Sequence, residues 1–275
     1  MKTVCVFGLG QIGGSLCLAL KKNCNSIYKV AGVTIHKKTF KEALMLNIAN
    51  EVFFGLQSVK KADIAIICTP VNTIAGIYKQ ISALFPTAVI SDTGSIKHPI
   101  EKEISSFLKS NSADFVGAHP MAGKEKSGLT FADADMFKNA NVVITGSMKK
   151  SFTNENLISD MWKNIGAKII KMSAKKHDKI ASFTSHLPHV ISFSLNSIYK
   201  SIRRKEPYID ELIAGSFKSA TRVASSSADM WAPILSMNRQ NLAKDIEIFI
   251  KKLQNFKKNL HFCEKTKKTI LKSQK

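Results

Sequence analysis

Twelve consecutive residues, Gly117-Ala118-His119-Pro120-Met121-Ala122-Gly123-Lys124-Glu125-Lys126-Ser127-Gly128, hold a histidine, a glutamate, two lysines and three glycines. Imidazole is the side chain whose ordinary titration lies nearest neutral pH, so His119 is a candidate for proton transfer. Pro120 steers His119 away from helical dihedrals, which places it where the strand-like run Asp114-Phe115-Val116 gives way to a loop. At that end of the strands a doubly wound sheet binds its ligands. The competing reading is a glycine-rich loop with an incidental histidine.

A second group of candidates lies at the start of the chain. Thr3 to Leu9 is an apolar, β-branched run, and Ser15 to Lys22 has helical periodicity. Between them stands Gly8-Leu9-Gly10-Gln11-Ile12-Gly13, so the order is strand, GxGxxG, helix, the context a dinucleotide fingerprint requires. Gly8 permits the tight turn, Gly10 lets the backbone approach a pyrophosphate, and Gly13 lets helix and strand pack closely. The helix N-terminus supplies positive potential for the anion. An acid that binds the ribose is expected at the end of the second strand, Lys29 to Ile35. That end reads Thr34-Ile35-His36-Lys37-Lys38 instead. Neutral Thr34 suits a ribose hydroxyl, and the basic residues after it suit a 2′-phosphate. NAD and NADP are both open, and the local chemistry leans toward NADP. Thr69 ends a third buried strand, Asp63 to Thr69, and is expected beside the nucleotide.

Three further stretches carry polar groups out of pattern. Asp92-Thr93-Gly94-Ser95-Ile96-Lys97 follows the strand-like run Ala88 to Asp92, and Ser95 caps the next helix, touches a ligand, or does both. Ser185-His186-Leu187-Pro188-His189 sets two histidines at i and i+3 of a helix that Pro188 should kink, aiming His189 into a cleft. The bland alternative is a satisfied helical histidine. Zinc finds no carboxylate or third ligand at metal spacing, so no metal is expected. Thr221-Arg222-Val223-Ala224-Ser225-Ser226-Ser227-Ala228-Asp229-Met230-Trp231 breaks two helices with serines. Its Arg222 suits bidentate capture of a carboxylate, with a surface arginine as the alternative.

The elements that must position these groups follow an α/β alternation up to Ala167–Met172 and are helical from Ser173 onward. The expectation is an α/β Rossmann-type dinucleotide-binding domain, residues 1–172, followed by an all-helical dimerisation and substrate domain, residues 173–275. With 275 residues, 44% of them hydrophobic, the chain can bury a substantial core. Net charge is +21, but the lysines are scattered and no basic block or nucleic-acid motif stands out. The excess is read as solvated surface, not a nucleic-acid interface. The five cysteines form no CxxC pair, which fits reduced thiols in a cytoplasmic protein. The N-terminus has no signal-peptide pattern, and no apolar run is long enough to span a bilayer. The long final helix, Asn238 to Phe262, has an apolar face for a core or a dimer seam.

Taken in order, the fingerprint Gly8 to Ser15, the Asp92–Lys97 stretch, Gly117–Gly128, Ser185–His189, and Thr221–Ala224 with Asp229–Trp231 resemble the prephenate dehydrogenase family of tyrosine biosynthesis, arogenate-using relatives included. The resemblance implies oxidative decarboxylation of prephenate to 4-hydroxyphenylpyruvate, with hydride transfer to NAD or NADP, and the family resemblance favours NAD. It implies His119 as the acceptor of the ring hydroxyl proton, with Ser95 beside it. Arg222 is implied as the anchor of a substrate carboxylate, His189 as a second positioning group, and Glu125 as the acidic member of a gate. It implies an intertwined homodimer through the helical domain. Arogenate dehydrogenase and another two-domain β-hydroxyacid dehydrogenase are the alternatives. Two departures stand out: Thr34 where an NAD-preferring member carries an acid, and Lys124 beside Glu125 where some relatives have a small polar residue.

Overall fold

A computed structural model of the chain describes residues 1–109, 112–123 and 128–274. Its eight strands are β1 (Lys2–Phe7), β2 (Tyr28–Thr34), β3 (Glu51–Phe54), β4 (Ile64–Ile67), β5 (Val89–Asp92), β6 (Asp114–Pro120), β7 (Asn141–Ser147) and β8 (Lys168–Lys171). They form one sheet in the order β3-β2-β1-β4-β5-β6-β7-β8. The first six are parallel, and β7 meets β6 antiparallel and β8 parallel. The central strands are buried on both faces: Val4, Cys5, Val6 and Ile64 to Ile67 expose nothing. A strand sealed on both sides reads as an unbroken apolar run, which is why β1 and β4 are legible without alternation.

Helices α1 (Gln11–Asn23), α2 (Lys37–Met45), α3 (Ile74–Leu84), α4 (His98–Ser105) and α5 (Phe152–Asn164) connect the strands. Leu16 and Leu20 of α1 are fully buried and belong to the same apolar cluster as Val4, Val6 and Ile66. Each such side chain contributes about 1.5–3 kcal/mol on burial. The turn from β1 into α1 depends on two glycines. Gly8 has φ +100°, and a Cβ on Gly13 would lie 1.9 Å from the Gly8 carbonyl oxygen. The strand order reverses between β1 and β4, so the loops after these two strands open a crevice at their carboxyl ends.

The rest of the chain is helical: α6 (Ala174–Ala181), α7 (Leu187–Arg203), α8 (Gly215–Thr221), α9 (Ala228–Met237), α10 (Arg239–Asn259) and α11 (Cys263–Gln274). The chain divides into two compact units, Met1–Asp178 with Ser225–Met237, and Lys179–Ala224 with Asn238–Lys275. Helix α9 therefore belongs with the sheet. It packs on the short 3-10 turn Val71–Thr73 after β4, and its Trp231 is buried. In the second unit α10 packs on α7 and α11.

The helix expected over Asn238 to Phe262 is α10, which stops at Asn259, where the Phe262 N–H and the Thr266 hydroxyl both donate to the Asn259 carbonyl, and a further helix, α11, follows it. The short strand β3 was not expected: Glu51-Val52-Phe53-Phe54 is an edge strand with no fully buried residue, and its apolar run Val52-Phe53-Phe54 is too short to mark a strand. Among the described residues no helix is long and apolar enough to cross a membrane.

Candidate active site

The crevice at the carboxyl ends of β1, β2 and β4 is a cavity of about 730 Å³ lined by Gly8, Leu9, Gly10, Thr34, Lys38 and Thr69, among others. Helix α1 begins there. Its N-cap is Gly10, with no side-chain cap and no acid in the first turn, so its leading N–H groups keep their positive potential. A Cβ on Gly10 would meet no atom of the other described elements within 4 Å. Gly10 is therefore not small for packing reasons, and the space beside it suits a phosphate that approaches the backbone. The residues fit a dinucleotide. Gln11 and Ile12 form the first turn of α1, with Gln11 buried. Thr69 Oγ1 accepts a hydrogen bond from the Thr73 hydroxyl at 2.8 Å. Thr34 is buried, and its Oγ1 accepts the His36 N–H at 3.2 Å, closing the turn into α2. Lys38 is exposed in the first turn of α2, 3.9 Å from Glu42.

Along the sheet, β6 ends at His119-Pro120 as its sequence predicts. A bulge between Gly117 and Ala118 changes the pairing with β7 just before His119, a device that re-aims side chains. Met121 to Gly123 then run toward the fingerprint: a Cβ on Gly123 would sit 3.8 Å from both Gln11 Oε1 and Ile12 Cδ1. His119 is half-buried, and its Nδ1 lies 2.8 Å from His177 Nε2. His177 Nδ1 in turn lies 2.7 Å from Asp178 Oδ1. The Asp178 carboxylate also accepts the backbone N–H groups of Lys97, at 2.9 Å, and His98, at 2.8 Å. Asp178 thus caps α4. Ser95 does not, which corrects that expectation: the cap comes from a residue about eighty positions later, and Ser95 sits half-buried one turn ahead of the helix.

The loop that carries Ser95 is tied to β6 by a buried ion pair. Lys97 Nζ donates to Asp92 Oδ2 and, at 2.7 Å, to the Ala118 carbonyl. Asp92 also accepts the N–H groups of Gly94 and Ala118. Burial pushes the Asp92 carboxyl above its ordinary range, while Lys97 and the two N–H groups pull it back down. On α4, burial pushes Glu101 up to about 7, against its bond to Thr145 Oγ1 at 2.5 Å and the nearby Lys97 charge.

The second unit holds two of the expected residues. Ser182–His186 is a π-helical turn, with the Leu187 N–H reaching back to the Ser182 carbonyl. The irregularity expected at Pro188 is absorbed there, so Pro188 falls in the first turn of α7, where its missing N–H costs little. His189 Nδ1 donates to the Ser185 carbonyl at 2.9 Å. Burial lowers the His189 pKa, and that carbonyl bond pulls it the other way. Arg222 opens the 3-10 turn Arg222–Ser225 and is exposed. Glu125, expected as a gate, lies outside the described residues.

Local spacing did not disclose His177, Asp178, Lys97 and Asp92 as members of this site. His177-Asp178 reads as more polar surface in a lysine-rich helix, yet both residues are buried. The available signal was Asp92 and Lys97: two charged residues flanking a glycine turn at the end of an apolar strand.

The chain matches two family models in succession. One is the prephenate dehydrogenase nucleotide-binding domain, over residues 16–171, and the other the prephenate dehydrogenase dimerization domain, over residues 173–271. It is 30% identical over 262 residues to the prephenate dehydrogenase of Lactococcus lactis, covering 94% of this chain and 70% of that one. It is 32% identical over 262 residues to the cyclohexadienyl dehydrogenase of Zymomonas mobilis, covering 93% and 87%. Among solved structures it is similar to prephenate dehydrogenase from Aquifex aeolicus in complex with hydroxyphenyl propionate and NAD+. The TM-score is 0.88 and the identity 28%, with 100% of this chain and 98% of that one covered.

Proposed function

The chain belongs to the prephenate dehydrogenase family, and from that premise we propose that it oxidises prephenate to 4-hydroxyphenylpyruvate and CO2, with His119 as the base. It is an NAD(P)-dependent oxidoreductase. The observation that carries the reading is His119 at the end of β6, in a loop that runs beside the first turn of α1, with its Nδ1 already engaged by His177.

Prephenate carries a ring carbinol, a ring carboxylate and a pyruvyl carboxylate. A bound nicotinamide supplies the acceptor for the carbinol hydride. His119 takes the hydroxyl proton, and the carbinol becomes a ketone. The bond from the ring to its carboxylate then breaks, CO2 leaves, and the electron pair flows through the ring to the ketone oxygen. That oxygen regains a proton as the ring becomes aromatic. The overall reaction releases no net proton, so His119 can return the one it took. Ser95 is the proposed polar neighbour of the same oxygen. Arg222 is the proposed partner of a substrate carboxylate, His189 a second positioning group and Glu125 the gate. Residues 1–172 hold the nucleotide, and residues 173–275 form a homodimer. The dimer reading is supported by Ile198 on α7 and by Ile248 and Leu253 on α10, large apolar side chains that stand exposed in the single chain.

The test is a four-way assay, prephenate and arogenate each with NAD and NADP, following reduced nicotinamide and CO2. Turnover of neither substrate with either cofactor removes the reading. Arg222→Ala should raise KM for the substrate about tenfold or more with kcat changed little, because a carboxylate anchor acts alike in ground and transition states. A fall in kcat at constant KM would contradict that role.

For the cofactor, Thr34 at the end of β2 and the first turn of α2, with Lys38 and no acid, support acceptance of NADP alongside NAD. Thr34→Asp places an acceptor beside the ribose hydroxyls and repels a 2′-phosphate. The ratio of kcat/KM with NADP to that with NAD should fall about tenfold or more, roughly 1.4 kcal/mol. An unchanged ratio would show that selectivity is set elsewhere.

A further inference from the structure

We infer that His177, oriented by Asp178, is a positioning residue for His119: it fixes which nitrogen of His119 is basic and shares the charge once that nitrogen is protonated. The inference rests on the proton-acceptor role proposed for His119.

The tautomers follow from one end of the chain of contacts. A carboxylate only accepts hydrogen bonds, so in the 2.7 Å contact with Asp178 Oδ1 the hydrogen sits on His177 Nδ1. Neutral His177 then has its lone pair on Nε2. The 2.8 Å contact with His119 Nδ1 therefore has the hydrogen on His119. The lone pair of His119 is left on Nε2, the nitrogen on the far side of the ring from His177. A histidine with no such partner would divide itself between two tautomers, one of them with its base facing the wrong way.

Protonation of His119 Nε2 strengthens each link. The Nδ1–H bond to His177 becomes charge-assisted, and the Asp178 charge lies one imidazole further on. His177 and Asp178 are only 3% and 2% exposed, so water screens these charges little. Among the described residues, Lys97, Glu101 and His98 stand near the chain. Lys97 is held by Asp92 and the Ala118 carbonyl. Glu101 faces Thr145. His98 follows Lys97 at the start of α4, its N–H on Asp178.

The geometry favours stabilising the proton over exporting it. Among the described residues, Asp178 accepts the N–H groups of His177 Nδ1 and of the backbone of Lys97 and His98. Protonating the carboxylate would weaken those bonds and the cap of α4 together. The substrate oxygen needs its proton back when the ring becomes aromatic, so an imidazolium held in place for one turnover serves the reaction better than a path that carries the proton away. Asp178 also anchors the loop of Ser95 through α4, so one carboxylate sets the positions of both groups proposed to meet the hydroxyl.

The test uses the full-length chain with His177→Leu and His177→Gln, folding being checked by thermal melting. Each is followed by the pH profile of kcat/KM and by NMR titration of the His119 ring without ligands. His177→Leu should lower kcat about 10- to 100-fold with substrate KM within about threefold. It should also move the acidic limb of the profile, and the His119 titration, to lower pH. His177→Gln can accept from His119 Nδ1 but cannot share a charge, so it should fall between wild type and His177→Leu. If His177→Leu does not fold, His177→Gln alone decides by its His119 titration. A folded variant with wild-type kcat and an unmoved His119 titration overturns the inference. The NMR titration needs no turnover: a shift there in a protein that does not oxidise prephenate would keep the positioning role and remove the reaction.

Discussion

His119→Asn is expected to lower kcat about 10²–10⁴-fold while substrate KM stays within a few-fold of wild type. Asparagine keeps an amide near the position of Nδ1 and can still pair with His177, so the end of β6 should hold its shape. It has nothing at the position of Nε2, the proposed site of proton uptake. The loss falls on the transition state, about 3–5 kcal/mol, and leaves ground-state binding largely alone. The fingerprint on α1 is untouched, so nucleotide affinity should not change. Steady-state kinetics with a separate measurement of nucleotide affinity resolve these terms. The pH profile adds a further signature: the residual activity should lose its acidic limb, because the titrating base is gone. A loss below about fivefold in kcat would show that another group takes the proton.

What the sequence disclosed about this site is what local chemistry can encode. The GxGxxG turn needs its glycines within six residues of one another, and both the +100° φ of Gly8 and the 1.9 Å approach at Gly13 are consequences of that turn. The strand-to-loop position of His119 follows from Pro120 next to it. The contacts that give His119 its environment are of another kind. His177 lies 58 residues away in the chain, and Asp178 reaches Lys97 and His98 across 81 and 80 residues. No periodicity links such positions. For the same reason Ser95 looked like a helix cap: a serine shortly before a helix satisfies the local rule, and a distant carboxylate had taken the place. Strand direction is equally silent, since the apolar pattern of β7 is the same whether it runs parallel or antiparallel to β6. The likeness of separate motifs to one family supplied what spacing did not, namely which distant stretches are proposed to share a function.

Lys97→Met is expected to cost about 3–5 kcal/mol of stability, the range for removing one partner of a buried ion pair. Methionine fills most of the volume of the lysine stem, so the loss is electrostatic. Among the described residues, Asp92, fully buried, would keep the N–H groups of Gly94 and Ala118, and the Ala118 carbonyl would lose the Lys97 donor. The effect has a pH signature. Burial already raises the Asp92 pKa in the folded protein above its ordinary 3.8. Between the unfolded and the folded values the native state holds a proton that the unfolded chain has released, and stability falls as pH rises through that window. Without Lys97 one of the forces that lower the folded pKa is gone, so the fall extends to higher pH. The difference in melting temperature between wild type and Lys97→Met should be larger at pH 8 than at pH 5. Adding Asp92→Asn removes the stranded charge and should recover much of the loss, a coupling that a double-mutant cycle measures. Activity should suffer even where the variant stays folded, because Ala118 precedes His119 and Lys97 ends the loop of Ser95. If Lys97→Met melts like wild type at both pH values, or if Asp92→Asn adds to its loss, the pair does not tie that loop to β6 in the way the geometry requires.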